Sequence, residues 1–341
     1  MRRPDHQTQT GVTAGAVLAP YLRAQAADFL RSLRLHRENS APTDAGSQAA
    51  DQAAEALRRS SRRISGTLHT FRTALDPQWA EQLRTELAWL SGTLAREHAY
   101  ADRLTRLLEA LHGLSGAPLP AARAASSAAS SASSSGSASG AGAKERAVLG
   151  VGAARAGALL ERQLTLARTR AHSAALQALG SSRFHAVADA VALLASEVPL
   201  SAEAAGPAGA LLSEPADRAE QRLLGAVAAL ASDEAAEPYN EAHDAPWHRT
   251  RLLLRLHRYA HEVVHGDSDP VLAVPGHALD LHRDASEAAT AAATAARTPR
   301  IAPTTAYALG VLHADQRHEV AAARSVFRES WPYATAAATR S

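Results

Sequence analysis

The stretch at residues 247–265, WHRTRLLLRLHRYAHEVVH, decides the fold. Its apolar residues recur every three or four positions, which is the period of an α-helix and predicts one buried stripe. The members of this stripe are Leu252, Leu256, Tyr259 and Val263. The basic residues recur at the same period and form a second, narrow face. The members of this basic face are His248, Arg251, Arg255 and Arg258. Gly266 follows directly and predicts the end of the helix, because glycine suits the left-handed residue after a last turn.

A second basic helix is predicted at residues 47–75. Its apolar stripe consists of Leu57, Ile64, Leu68, Phe71 and Leu75, and its basic face of Arg58, Arg59, Arg62, Arg63 and His69. The offsets of the first basic face recur here in Glu55, Arg58, Arg62 and Ser65. A helix with one basic residue per turn repels itself, so a carboxylate from a neighbouring helix or a polyanion should offset the charge. Spacing alone also allows an ordinary solvent-exposed face.

Composition extends the helical prediction to the whole chain of 341 residues. Alanine, the best helix former, is abundant, while aromatic residues make up only 4%, too few for a fold built of strands. The fold class is therefore all-α, with helices predicted at 13–38, 47–75, 78–112, 145–179, 182–197, 215–236, 240–265, 270–297 and 302–331. Residues 121–143 are almost entirely Ala, Ser and Gly, and predict a flexible linker between a first half at 11–120 and a second half at 144–335.

Several classes of function are excluded. The chain has no cysteine, which rules out disulfides, a thiol nucleophile and iron–sulfur clusters. The formal net charge of +2 is too small for a general nucleic-acid binder. No apolar run reaches the roughly 18 residues of a membrane helix, and polar and helix-breaking residues interrupt the N-terminal apolar stretch, which argues against a signal peptide. A cytoplasmic protein without a membrane partner is predicted.

One motif suggests a metalloprotease. Residues 261–265 read His-Glu-Val-Val-His, the spacing with which two histidines bind zinc and a glutamate acts as general base. We set this interpretation aside because Ser268 stands where the longer form of the signature has glycine, and because an all-α fold offers no edge strand for a peptide substrate. No catalytic residue, metal or cofactor is predicted.

At its two basic stretches the chain resembles a known family, the CHAD domain (conserved histidine α-helical domain). Residues 247–259 look like the family's second basic helix, His-x-x-Arg-x-x-x-Lys-x-x-Arg-Tyr, with Arg255 in the place of the lysine. Residues 62–79 resemble the first basic helix and the turn after it. Residues 182–184 and 308–310 fit further landmarks of the family. The resemblance covers about 11–335, and this range is predicted to be a CHAD-like domain.

The resemblance implies two pseudo-symmetric antiparallel four-helix bundles, with the two basic helices lining a central groove. The family is associated with inorganic polyphosphate, so the chain is expected to bind polyphosphate or a similar polyphosphorylated anion without cleaving it. Arginine suits this ligand, because guanidinium matches phosphate oxygens bidentately and stays charged. The two histidines of the expected site would add charge only when protonated, below about pH 6.5. The expected contacts are Arg58, Arg62, Arg63, His248, Arg251, Arg255, Arg258, Tyr259 and His282.

Departures from the family pattern leave a second interpretation open. The histidine of the first motif is replaced by Glu55, the Arg-Asp-x-Asp stretch of the family's third helix falls on residues 98–101 and loses its charges, and a glycine of the seventh helix becomes Asp280. A carboxylate inside the groove would pair with an arginine and repel phosphate. The alternative is a degenerate CHAD protein that acts as a helical interaction scaffold with protein partners and no ligand. Pairing of Glu55 with Arg62 or Arg255 would favour this alternative.

Overall fold

A computed structural model of the chain describes residues 11–38, 44–115, 140–231 and 240–333. Helices form nearly all of the regular structure of these ranges, which contain no sheet, and the all-α prediction is confirmed. The helices are α1 (Ala14–Glu38), α2 (Asp44–Thr70), α3 (Pro77–Ser115), α4 (Gly140–Leu179), α5 (Ser182–Ser196), α6 (Ala208–Ala231), α7 (Asp244–His265), α8 (Ala273–Ala296) and α9 (Pro303–Ser330).

The main difference from the predicted boundaries is at α6. The prediction started this helix at Pro215, but it begins at Ala208 and Pro215 lies inside it. Proline normally disfavours a helix interior because it lacks the backbone N–H. Here Ala208 and Leu212, which precede the proline, are buried in the core, so packing overrides the local preference. Residues 121–139 of the predicted linker lie outside the described residues, and α4 already begins at Gly140.

Three apolar clusters hold the helices together. The first joins α1, α2, the N-terminal halves of α3 and α6, α5, and the C-terminal ends of α4 and α7. The second joins the C-terminal half of α3 to α4, α8 and α9, and the third lies between α6, α7, α8 and α9. Helix α3, with 39 residues and a length of about 60 Å, contributes to the first two clusters and connects them. None of the helices that the structure describes is long and apolar enough to cross a bilayer.

Local signals position α7. Gly266 ends the helix as predicted, with a φ of 87° that a residue with a side chain would rarely adopt. The Asp269 side chain then accepts a hydrogen bond of 3.0 Å from the backbone N–H of Val271, and Pro270 begins the short turn that leads into α8. Because this connection is tight, the basic face of α7 lies beside α8 as well as beside α2.

Candidate functional site

The two predicted basic helices, α2 and α7, are in direct contact. Gly66 of α2 faces the ring of Tyr259 so closely that a Cβ atom at this position would stand 2.6 Å from Cδ2 of the tyrosine. Cδ2 of Leu256 would lie 3.3 Å from this added Cβ atom. Glycine is therefore required here for close approach, and it sets the spacing between the two helices.

An alanine at position 66 should separate α2 from α7. We expect Gly66→Ala to destabilise the protein by about 1–3 kcal/mol, because the added methyl group overpacks a filled contact. Denaturant unfolding measures this loss. Tyr259→Ala in the same chain removes the clashing ring, so the Gly66→Ala change should cost much less in a Tyr259→Ala background than in the wild type. Equal costs in both backgrounds would show that Tyr259 does not set the helix spacing.

A buried carboxylate joins the same two helices. Glu262 of α7 accepts hydrogen bonds of 2.8 and 3.1 Å from Nε and Nη2 of Arg63 on α2. The hydroxyl of Tyr21 on α1 donates to the same carboxylate at 3.0 Å, and burial followed by the negative charge of Glu262 raises the pKa of this tyrosine. The hydrogen bond to Glu262 raises the pKa of Arg63. Arg63 is thus neutralised by its partner and fastens the helices.

Beside this contact α2, α3 and α7 enclose a cavity of about 260 Å³, which we call the α2–α7 groove. Its polar lining consists of Arg62, Ser65, His69, Arg84, Ser91, Arg255 and Tyr259. No described carboxylate lines it. Three of the residues expected from the sequence, Arg62, Arg255 and Tyr259, therefore meet in one cavity. Arg84, which the sequence did not single out, joins them because α3 packs against α2.

The two arginines that face each other in this groove are uncompensated. Among the described residues, neither Arg62 nor Arg255 forms an ion pair, and Nε of Arg62 is buried without a hydrogen-bond partner. Burial, followed by the nearby charge of Arg251, lowers the pKa of Arg255 to about 10. The group is still charged at neutral pH, and burial beside other arginines disfavours this charged form.

The other expected arginines on the two basic faces, apart from Arg63, do not line the groove. Nε of Arg58 is buried without a partner, and burial followed by the charge of Arg62 lowers the pKa of this residue. Arg258 has a buried, unpartnered Nε and turns toward Gly276 at the start of α8, with Nη1 3.6 Å from the place of a Cβ atom there. Arg251 forms an ion pair with Asp280 of α8 and is thereby neutralised.

The structure does not bring the two expected histidines to the groove. His248 lies about two helical turns from Arg255 and lines a separate cavity of about 690 Å³ between α3, α4, α7 and α8. Its Nε2 is 3.4 Å from the Ser286 hydroxyl, and burial lowers its pKa. Neither the contact with Ser286 nor the lowered pKa favours a protonated His248 at neutral pH.

His282 is 1% exposed, so it cannot contact a ligand in the groove. Its ring stacks on Trp247 at 5.3 Å, and Nε2 accepts a hydrogen bond of 3.2 Å from Nε of Arg324. Burial, followed by the charge of Arg324, lowers its pKa to about 3. The expectation that His282 adds charge near pH 6 is therefore corrected: the imidazole is a neutral part of the core.

The carboxylate expected to block the groove points elsewhere. Glu55 accepts a hydrogen bond of 3.0 Å from Arg59, four residues further along α2, and 58% of its side chain is exposed. It pairs with neither Arg62 nor Arg255. Among the departures from the family pattern, Asp280 does neutralise a basic residue, because its carboxylate forms an ion pair with Arg251.

The zinc-like motif on α7 is arranged differently from a metalloprotease site. The rings of His261 and His265 are 4.3 Å apart, and Nδ1 of His261 lies 3.1 Å from the backbone oxygen of Asp267. The glutamate between them, Glu262, is turned to the other side of the helix and holds Arg63. Within the part of the chain that the structure describes, no three ligating side chains are grouped around a point.

Two basic helices packed across a shared cavity in an all-α fold define a CHAD domain, and the model of the CHAD domain family matches residues 24–275. The chain belongs to the CHAD domain family. Among solved structures it is similar to PptA from Streptomyces chartreusis, with 56% identity and a TM-score of 0.74 over 94% of this chain and 99% of that one.

A second solved structure shares the fold. The crystal structure of the CHAD domain from the plant Ricinus communis has 20% identity and a TM-score of 0.56, covering 96% of this chain and 97% of the plant chain. A search of curated proteins finds no match to this chain. The family resemblance inferred from the two basic stretches is therefore confirmed.

Proposed function

We propose that this protein binds inorganic polyphosphate, or a similar polyphosphorylated anion, in the α2–α7 groove without cleaving it. The observation that carries the proposal is the meeting of Arg62 and Arg255, from opposite helices, in one cavity that no described carboxylate lines. A cation held this way is stabilised by an anion, and phosphate oxygens match the guanidinium fork.

The direct contacts in this proposal are fewer than the sequence suggested. Arg62 and Arg255 bind phosphate oxygens, and Tyr259 lines the groove between them. Arg58 adds positive charge from the same helix as Arg62, whereas Arg258 turns toward α8. The remaining expected residues do not contact the ligand in this proposal. Arg63 and Arg251 are paired with carboxylates, His248 lies in another cavity, and His282 is in the core.

The position of Glu55 favours binding over the scaffold alternative. A degenerate groove would have its arginines held by an internal carboxylate. Glu55 instead pairs with Arg59 on the exposed side of α2 and leaves Arg62 and Arg255 available to an anion. The predicted cytoplasmic location and the predicted lack of enzymatic activity are part of this proposal.

Titration of the purified protein with long-chain polyphosphate at low salt tests the proposal. We expect saturable binding by the wild type, and a loss of at least about tenfold in affinity for Arg62→Ala/Arg255→Ala, because each lost charge-assisted contact is worth about 1–3 kcal/mol. Arg162→Ala/Arg170→Ala is the matched control: it removes two exposed arginines of α4 that do not line the groove and should bind like the wild type. Absence of binding by the wild type at low salt would favour the scaffold.

A further inference from the structure

Three surface depressions meet at one residue, His69, near the C-terminal end of α2. The first is the α2–α7 groove itself. The second, of about 460 Å³, runs along the turn between α2 and α3 and shares His69 and Arg84 with the groove. The third, of about 120 Å³, lies between α2, α6 and α7, and shares His69 and Leu256 with the groove. The groove is therefore open at this end toward two further concave surfaces.

The third depression is basic, whereas the second is mixed, with Glu81 and Glu203 beside Arg72 and Arg84. Arg72, Arg218 and Arg222 line the third depression, and we call these three residues the outer patch. All three are exposed. Arg218 has a carboxylate partner, the exposed Glu214 four residues earlier on α6 at 3.2 Å. Among the described residues, neither Arg72 nor Arg222 forms an ion pair.

His69 lies close to two cations of the outer patch and to Arg84. Its pKa is lowered first by burial and then by the charges of Arg84, Arg222 and Arg72, which belong to α3, α6 and the turn after α2. Glu81, the carboxylate acting in the opposite direction, has the smallest effect and is paired with Arg84. Positive charge from three separate elements thus converges on the junction of the three depressions, where an anion leaving the groove would pass.

We propose that the binding surface for the phosphate chain continues from the α2–α7 groove past His69 onto the outer patch, and that this extension makes the protein prefer long chains to short ones. This inference rests on the proposed function, and it adds that the preferred ligand is a long phosphate chain. Arg62 and His69 are seven residues apart on one helix, which corresponds to about 10 Å along the axis, and the outer patch lies beyond that. A triphosphate in the groove does not span this distance, whereas a long chain contacts both sites at once.

The extension has a measurable energetic signature. Each arginine that engages a polyanion releases bound counterions, so removing two such contacts lowers the salt dependence of binding as well as the affinity. We expect Arg72→Ala/Arg222→Ala to weaken binding of long-chain polyphosphate about tenfold at low salt and to reduce the slope of log K against log salt by about two. Binding of triphosphate should change little. Both substitutions are at exposed positions, so the fold should be preserved.

The experiment compares the two ligands, long-chain polyphosphate and triphosphate, across three variants of the full chain. Arg62→Ala/Arg255→Ala should weaken the binding of both ligands. Arg72→Ala/Arg222→Ala should weaken the binding of the long chain only. The α4 control, Arg162→Ala/Arg170→Ala, should bind both ligands like the wild type. If Arg62→Ala/Arg255→Ala weakens binding but Arg72→Ala/Arg222→Ala binds long chains like the wild type, the outer patch is refuted and the groove stands. If Arg72→Ala/Arg222→Ala weakens the binding of both ligands equally, a subsite for long chains is refuted. The two arginines would then act only through the general positive charge of the surface. If the wild type binds neither ligand, the proposed function itself fails.

Discussion

The affinity of this protein for long-chain polyphosphate should fall by about two to three orders of magnitude when salt rises from roughly 50 to 200 mM. The whole chain is nearly neutral, with a formal net charge of +2, so this dependence has to come from local arginines. In the proposed binding mode five of them engage one phosphate chain, namely Arg58, Arg62, Arg72, Arg222 and Arg255. The slope is calibrated on nucleic acids, and it transfers because both ligands are chains of phosphate charges with condensed counterions.

Arg255 is the most sensitive position for the same measurement. Arg255→Ala should cost about 1–3 kcal/mol of binding free energy and make the salt dependence shallower, because this partly buried guanidinium lines the groove and forms no ion pair among the described residues. Arg255→Lys is the matched control, since it keeps the charge and loses only the bidentate fork. Its affinity should lie between those of the wild type and Arg255→Ala. An affinity that is insensitive to salt, or an Arg255→Ala protein that binds like the wild type, would contradict the groove.

Asp244→Asn should reduce the free energy of unfolding by about 3–5 kcal/mol, the cost of removing one member of a buried ion pair. Asp244 stands at the start of α7 and accepts hydrogen bonds of 2.6 and 3.1 Å from Arg317, whose side chain is fully buried. Arg324 donates to the same carboxylate at 2.6 Å. Without the carboxylate, two guanidinium groups from α9 would lose their charge-assisted hydrogen bonds to α7 in the interior.

Urea denaturation measures this loss, and Asp280→Asn is its matched control. The Asp280 carboxylate also pairs with an arginine, but 53% of its side chain is exposed, so breaking that pair should cost less than about 1 kcal/mol. A fall in stability for Asp244→Asn no larger than for Asp280→Asn would show that the cluster under α7 does not hold the helix in place. The two variants thus separate a buried ion pair from a solvent-exposed one of the same chemistry.

The helices could be predicted from the sequence because their signals are local. The helical period and the basic face of α7 follow from local spacing, and Gly266 ends the helix wherever the helix lies in the fold. The predicted apolar stripe was not the buried face, since Leu252 is exposed and Leu254 is buried instead. The start of α6 was predicted wrongly for the opposite reason. Pro215 is a local signal for a helix start, and burial of the turns before it decided otherwise.

The same distinction holds for the candidate site. Periodicity selected Arg62, Arg63, Arg251 and Arg255 as equivalent members of two basic faces, since they differ little in local sequence. They are not equivalent in the fold. Arg63 meets a carboxylate 199 positions away, at Glu262, and Arg251 meets one 29 positions away, at Asp280. Ion pairs between residues this far apart in the chain do not appear in the residue spacing of a single helix. The sequence of one helix therefore cannot distinguish the neutralised arginines from the available ones.

The sequence by itself thus determined the helical class, the two basic faces and the family, because each depends on residues that are close together in the chain. The tertiary structure alone decided which cations remain uncompensated. It placed Gly66 against Tyr259, which brings α2 and α7 close enough to enclose Arg62 and Arg255 in one cavity, and it turned Glu55 away from them. The physical reason is that the charge of a groove is a sum over side chains from several helices, and only their packing fixes the distances in that sum.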